Sequence, residues 1–199
     1  MRRINIFVLL ILLFVIIFAC RKQTPIPKPR GYFRLTLPAR ATFDTLKMDI
    51  CAFAFQYPSY IHVEQDTLFF DEKPEEPCWL NLKYPELKGV LHMSYKRLAK
   101  HDIEKLTEEY HRMKFEHVVK AEFIDDASIS SKEKNVFGLI SDLGGEVATP
   151  LQFYLTDSSR HFVRGALYFS AEVNTDSLAP AVQFAKEDIL AIIDSWAWK

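Results

Sequence analysis

Seven short segments with alternating apolar residues dominate the chain from residue 31 to residue 169 and limit what it can fold into. They are GYFRLTL, CAFAFQY, CWLNLKY, GVLHMSYK, NVFGLISDL, LQFYLT and FVRGALYF. Alternation with a period of two residues, interrupted by turn pairs, predicts antiparallel strands. The turn pairs are Pro58 and Ser59, Asp71 and Glu72, and Gly144 and Gly145. The segments near 137–143 and 162–169 are apolar on both faces, so they are predicted to lie centrally and to be covered on each side.

Two amphipathic stretches predict the helices that cover this sheet. The first runs from Asp102, a good N-cap residue, to about Val119, and the second runs from about Ser177 to Trp198. Pro180 is tolerated because it lies in the first turn. The order of strands, helix, strands, helix predicts an α+β domain, in which an antiparallel sheet is packed by two helices, one on each face. By analogy of fold alone, this order is similar to the PsbP/Mog1-type α/β/α sandwich.

The N-terminal residues predict a signal peptide that is removed at a lipid-modified cysteine. Arg2 and Arg3 precede 14 consecutive apolar residues, Ile6–Ala19, which is short for a membrane-spanning helix. The sequence IFA before Cys20 places an aliphatic residue at position −3 and a small one at −1, which resembles a bacterial lipobox. We therefore expect residues 1–19 to be removed and Cys20 to be acylated. A membrane anchor, or an ordinary signal peptide with a chance cysteine, is the alternative.

The segment that follows Cys20 predicts a tether. Residues 20–30 contain three prolines and no apolar periodicity, which is typical of an extended, semi-rigid spacer. We expect it to hold a single α+β domain, residues 31–199, at a membrane and facing the periplasm. No acidic surface-export signal follows Cys20, so the inner leaflet of the outer membrane is the expected location. The cytoplasmic membrane is the alternative.

Charge argues against one class of partner. Without Arg2 and Arg3, the 25 basic residues become 23, against 26 acidic residues. The basic residues form no stripe or cluster, so the electrostatic signature of a nucleic-acid-binding protein is missing.

Acylation of Cys20 leaves two cysteines, Cys51 and Cys78, for the folded domain. An even pair in the oxidising periplasm favours a disulfide. Each cysteine opens a predicted strand and shares parity with its apolar residues, so both side chains should face the core. A bridge would stabilise the fold by about 3 kcal/mol. Two separate buried thiols are the alternative, because free cysteine is often a core residue.

Motifs for catalysis, metal binding or cofactor binding are weak throughout the chain. Glu108 and His111 form a single E-x-x-H pair, which on its own is more typical of a solvated helix face than of a metal site. No H-E-x-x-H, G-x-S-x-G, P-loop or dinucleotide-binding glycine motif occurs. We therefore predict no catalytic residue, no metal site and no cofactor.

The densest polar cluster lies between residues 141 and 164, and its centre predicts a hairpin loop. The loop residues are Asp157, Ser158, Ser159, Arg160 and His161. A Ser/His/Asp set can be drawn from them, but such a triad is defined by its geometry. We expect instead a rim that binds a protein partner, because recognition residues concentrate on loops held by a rigid sheet.

Several stretches also resemble a known family. They are the lipobox, PKPRGYFRLTLP, CAFAFQYPSY, CWLNLKYP, LHMSYK, VFGLISDLGGEVATPLQFYLTDSSRHFVRGALYF and DSLAPAVQFAKEDILAIIDSWAWK. Over essentially the whole mature chain they resemble the GldD family of gliding-motility lipoproteins of Bacteroidota. The family pattern includes cysteines at the positions of Cys51 and Cys78, which supports treating these two as a pair.

The resemblance implies a role in gliding motility and in the type IX secretion system on which that motility depends. It implies no assigned enzymatic activity or cofactor, and it implies partners among other gliding lipoproteins and membrane components of the machinery. We therefore predict a non-catalytic interaction or assembly lipoprotein. The alternatives are a periplasmic module that binds a small ligand or cell-wall fragment, and a hydrolase that uses Ser158 or Ser159 with His161.

Overall fold

The computed structural model describes residues 36–67, 74, 76–98, 102–115, 120–170 and 175–199. The predicted signal peptide, Cys20, the tether, the turn at Asp71 and Glu72, and most of the first predicted strand lie outside these residues. The described residues all belong to one folded unit, Phe33–Lys199.

A seven-stranded antiparallel sheet forms the centre of this unit. Its strand order is β4-β5-β6-β10-β9-β8-β7, while β1 pairs with β3 and β11 pairs with β2 in two small additional sheets. In chain order the strands are β1 (Phe43–Thr45), β2 (Phe53–Ala54), β3 (Gln56–Pro58), β4 (His62–Gln65), β5 (Leu80–Tyr84), β6 (Gly89–Arg97), β7 (Ala121–Ser131), β8 (Val136–Gly145), β9 (Leu151–Thr156), β10 (His161–Phe169) and β11 (Ala197–Trp198). A short 3-10 helix, Pro85–Leu87, connects β5 to β6.

Two α-helices lie on opposite faces of the large sheet. They are α1, Asp102–Phe115, and α2, Thr175–Asp194. Successive residues of a strand point to opposite faces. On β8, Ser141 contacts Tyr110 of α1, whereas the next residue, Asp142, contacts Lys186 of α2. The layers are therefore helix, sheet, helix, which confirms the predicted α+β class and the helix on each face.

The main hydrophobic core lies between the sheet and α2. Its apolar side chains come from alternate strand positions and from one side of the helix; they include Leu82, Leu91, Leu155, Val163, Leu167, Ile189 and Ile192. Trp196, which is fully buried, stacks on Phe53 and Phe55 with ring centroids 4.5 and 5.2 Å away. The ring of Phe153 lies across Gly165, where a Cβ would come within 2.3 Å of it. A glycine is therefore required at this point of the central strand.

Most predicted elements are present, but the strands β1, β4, β7 and β11 lie outside the predicted strand segments. Three further details differ. The segment FVRGALYF forms β10 at the centre of the sheet as predicted, but NVFGLISDL, as β8, lies next to the edge strand β7. The second helix ends at Asp194 rather than Trp198, because the chain turns back and Trp198 pairs with Phe53. Gly144 and Gly145, predicted as a turn, instead end β8 opposite an irregularity in β7.

Candidate interaction site

The predicted binding rim is the loop between β9 and β10, and Asp157 organises it. Its Oδ1 accepts hydrogen bonds from the backbone N–H groups of Ser159, Arg160 and His161, at 3.0, 2.8 and 2.9 Å. The Ser159 hydroxyl donates to Oδ2 at 3.1 Å. Burial by itself would raise the pKa of the Asp157 carboxyl, but these hydrogen bonds outweigh it and lower that pKa. Asp157 is buried, and residues 158–160 are exposed around it.

Replacing Asp157 by Ala is expected to lower the free energy of unfolding by about 2 kcal/mol, because three backbone donors lose a charged acceptor. The pKa of Asp157 in the folded state lies below its ordinary value of 3.8. Its contribution is therefore fully present above that value and is lost as the pH falls through the folded-state pKa. Urea unfolding of wild type and variant, from neutral pH to about pH 3, measures the difference. A difference that is the same at every pH would contradict this assignment.

His161 ends the loop and packs between two aromatic side chains. Its Nδ1 lies 2.8 Å from the Tyr95 hydroxyl, and its ring stacks on Trp198 with centroids 5.3 Å apart. Burial lowers the pKa of His161. The Asp157 carboxylate is bound to Ser159 and to backbone amides, so these contacts differ from the Ser–His–Asp chain of hydrogen bonds that a triad requires.

A disulfide joins Cys51 to Cys78, with Cα atoms 5.1 Å apart. Both residues are buried at the main hydrophobic core, as their strand parity predicted. The bridge ties the segment before β2 to the segment before β5, so it links the small β2–β11 sheet to the large sheet.

A charged cluster that was not predicted from the sequence attaches the first described residues to α2. We call it the Arg40 cluster; its members are Arg40, Tyr60, Phe184, Glu187 and Asp188. The Arg40 Nε donates to Asp188 Oδ1 at 2.6 Å, and the two terminal nitrogens donate to Glu187 Oε2 and to the Phe184 carbonyl at 2.7 and 2.8 Å. The guanidinium also lies 4.0 Å from the centroid of the Phe184 ring.

Asp188 is the buried centre of the Arg40 cluster. Its side chain is 0% exposed, and its Oδ2 accepts a hydrogen bond of 2.5 Å from the Tyr60 hydroxyl. Burial raises the pKa of Asp188, although the hydrogen bonds from Tyr60 and Arg40 oppose that effect. Burial alone would lower the pKa of Arg40, but its hydrogen bonds to Asp188 and Glu187 raise it. Each side chain therefore offsets part of the other's desolvation.

A row of residues, polar except for Ala166, crosses the sheet on the α1 face, and it was not predicted from the sequence either. Directly paired positions on six neighbouring strands are Asp126, Ser141, Gln152, Ala166, His92 and Asn81. Ser141 and Gln152 are fully buried. A signal was present, because both are polar residues inside otherwise apolar strand segments.

Part of this row binds α1. The Tyr110 hydroxyl lies 2.7 Å from Ser141 Oγ and donates to the Gln152 carbonyl at 3.3 Å. Asp126 accepts from Ser141 Oγ at 2.5 Å and from the buried Lys114 Nζ at 2.6 Å. Burial by itself would raise the pKa of Asp126, but these two hydrogen bonds lower it. A polar network therefore helps to hold α1 against the sheet, together with the buried side chains of Leu106 and Tyr110.

Replacing Tyr110 by Phe is expected to lower the free energy of unfolding by about 1 kcal/mol, because the buried Ser141 hydroxyl loses one partner. The matched control is Tyr154→Phe, since Tyr154 is half-buried on the same face and packs edge-on against Tyr110. Urea unfolding of both variants measures the difference. Equal effects of the two substitutions would show that the network contributes little.

An open cleft of about 340 Å³ lies beside the β1–β3 pair. Its lining residues are Asp44, Thr45, Leu46, Lys47, Met48, Tyr57 and Val63. Glu108 and His111, the E-x-x-H pair, are exposed and half-buried on α1. Within the described ranges, no three His, Cys, Asp or Glu side chains converge as a metal site would require. No helix in this part of the chain is long and apolar enough to span a bilayer.

Comparison with known proteins places the chain in a family. It is similar to the solution structure of cyanobacterial PsbP (CyanoP) from Synechocystis sp. PCC 6803, with a TM-score of 0.49 and 14% identity. That likeness covers 80% of this chain and 94% of the other, and we draw nothing about function from it. No curated protein matches the chain significantly. Residues 22–198 match the family model described as gliding motility lipoprotein GldD. The chain therefore belongs to the GldD family of gliding-motility lipoproteins, which are membrane-anchored proteins of the cell envelope.

Proposed function

We propose that this protein is a non-catalytic interaction and assembly component of the gliding-motility apparatus and of the type IX secretion system linked to it. Membership of a gliding-motility lipoprotein family supports the first part of this role. The proposed anchor is acylated Cys20 in the inner leaflet of the outer membrane, with the domain facing the periplasm. The proposed partners are other gliding lipoproteins and membrane proteins of the machinery.

The observation that carries the proposal is the organised loop between β9 and β10. Asp157 holds four donors of the loop, so the exposed Ser158, Ser159 and Arg160 need little further ordering when a partner binds. Trp198, half-buried, stacks on His161 beside them. Arginine and tryptophan are enriched among the residues that contribute most to protein interfaces.

Crosslinked affinity purification of the C-terminally tagged protein from its own membranes tests this surface. Wild type is compared with Arg160→Ala and with the double variant S158A/S159A. Lys105→Ala is the control, because Lys105 is an exposed cation on α1. We expect gliding or secretion components to be recovered with wild type and the control and to be lost with the loop variants. Equal recovery from all four proteins, or no specific protein, would contradict the proposal.

Two further substitutions separate the other parts of the proposal. Cys20→Ala should release the protein from the membrane fraction, and a variant that stays membrane-bound without acylation would contradict lipid anchoring. His161→Ala tests the hydrolase alternative, because it removes the base that a nucleophilic Ser158 or Ser159 would need. Gliding that persists in that variant would exclude such a hydrolase as the basis of motility.

A second function, binding of a small ligand or cell-wall fragment, is favoured by the cleft beside β1 and β3. Its volume of about 340 Å³ lies in the range of small-molecule sites. Tyr57, Met48 and Val63 offer apolar contacts, and Asp44 and Lys47 offer charges of both signs. Thermal-shift titration with muramyl dipeptide, on wild type and on Tyr57→Ala, tests it. Stabilisation of wild type alone would support this function, and no stabilisation would count against it.

A further inference from the structure

The edge strand β7 is long and presents one unpaired side. It extends over 11 residues, Ala121–Ser131, whereas the opposite edge strand β4 has only 4 residues. Within the described part of the chain, β8 is the strand that pairs with β7, so the outer N–H and C=O groups of β7 face away from the sheet. Such an edge is a template for pairing with another strand.

The two halves of β7 differ in how they resist pairing. The first half carries an irregularity between Ala121 and Phe123 and the neighbouring carboxylates of Asp125 and Asp126, the second of which is paired with Lys114. Bulges and edge charges of this kind normally prevent association. The second half, ASISS over residues 127–131, carries no charge and no proline. Any partner strand must therefore cover the second half without placing an anion against the first.

We propose that a second copy of this chain pairs with β7 in antiparallel fashion, with Ser128 opposite Ser128 on a two-fold axis perpendicular to the sheet. In this register Asp126 lies opposite Ser130 of the other copy, and Asp125 lies opposite Ser131. Each carboxylate then faces a hydroxyl donor, and no two like charges are directly opposed. A register centred on Asp126 would instead oppose identical carboxylates.

The side chains on each face of the sheet also match in this register. In this register even-numbered residues lie opposite even-numbered ones, and odd opposite odd. The α1 face of one sheet therefore continues into the α1 face of the other, and the α2 faces are continuous in the same way. On the α2 face, Ala127 lies opposite Ile129 of the other copy, and Ile129 already packs against the main hydrophobic core. Ser131 of one copy lies opposite Asp125 of the other, and the next residue after Ser131 is the exposed Lys132. The acidic half of each strand therefore meets the basic end of its counterpart.

Cysteine crosslinking of the full-length lipoprotein in its own membranes tests the register. Ser128→Cys places two thiols on the two-fold axis, whereas Ser131→Cys places them about 20 Å apart along the strands. Lys105→Cys on α1 is the surface control. After mild oxidation, we expect a dimer on a non-reducing gel from S128C, at least fivefold above S131C and K105C. Co-expressed D125C and S131C chains should also crosslink, because these positions face each other.

A charge at the axis provides a second measurement. In Ser128→Lys two cations would face each other, so the detergent-solubilised variant should be monomeric by light scattering where wild type is dimeric, with unchanged circular dichroism. S128C crosslinking no stronger than the controls, or a monomeric wild type, would overturn the proposal. So would a crosslink to a different protein identified by mass spectrometry. Crosslinking and light scattering report on β7 alone, so their outcome does not depend on whether residues 158–160 bind a gliding or secretion component.

Discussion

Replacing Arg40 by Met is expected to lower the free energy of unfolding by about 3 kcal/mol. Met retains an apolar stem against the Phe184 ring but removes the cation that lies 2.6 Å from Asp188 Oδ1. Asp188 would remain buried with the Tyr60 hydroxyl as its remaining partner in the Arg40 cluster. Breaking a buried pair by removing one partner is costly because the other charge is left uncompensated. Urea unfolding followed by tryptophan fluorescence measures the loss.

Two controls separate burial of the charge from simple loss of a contact. Glu187→Gln removes the exposed carboxylate that also binds Arg40, and we expect little change because exposed ion pairs contribute little. Adding Asp188→Asn to Arg40→Met should recover part of the lost stability, since no unpaired buried charge remains. A Glu187→Gln effect as large as that of Arg40→Met would contradict the central role of Asp188.

Removing the disulfide is expected to lower the free energy of unfolding by about 3 to 4 kcal/mol. The two cysteines are 27 residues apart, so the bridge closes a loop of that length in the unfolded chain. The double variant C51A/C78A tests this by urea unfolding, and reduction of wild type with dithiothreitol should give a similar loss. Dithiothreitol should not change the double variant. Equal stability of wild type with and without the reductant would show that the bridge does not constrain the unfolded state.

Local periodicity was sufficient to predict most of the sheet. The segments that became β5, β6, β9 and β10 combine alternation with β-branched or aromatic residues, so the local pattern was sufficient to predict each as a strand. Strand β7 was missed because its outer edge and much of both faces are exposed, and its sequence AEFIDDASISS therefore lacks alternating apolar residues. The helix end was misplaced because Trp196 and Trp198 continue the apolar pattern of α2 while belonging to the aromatic cluster and β11.

The polar contacts were predictable in part. The predicted loop at residues 157–161 lies between two strands, although His161 is the first residue of β10. It was predictable because short-range turn chemistry determines such a hairpin. The buried role of Asp157 was not apparent from the sequence, since an aspartate that binds its own loop and one that binds a ligand are the same residue type. The use of this loop as a recognition surface stays a prediction, which the affinity purification tests.

The sequence by itself determined the α+β class, the family and the pairing candidates Cys51 and Cys78, because these depend on local pattern and on residue identity. Only the tertiary structure decided that Arg40 meets Asp188, 148 positions away, and that Asp126, Ser141 and Gln152 form one row. The physical reason is the distance along the chain over which each kind of contact acts. Strand and helix formation follow contacts between near neighbours along the chain, whereas a buried charge or hydroxyl is paired by whichever distant element the folded sheet brings to it.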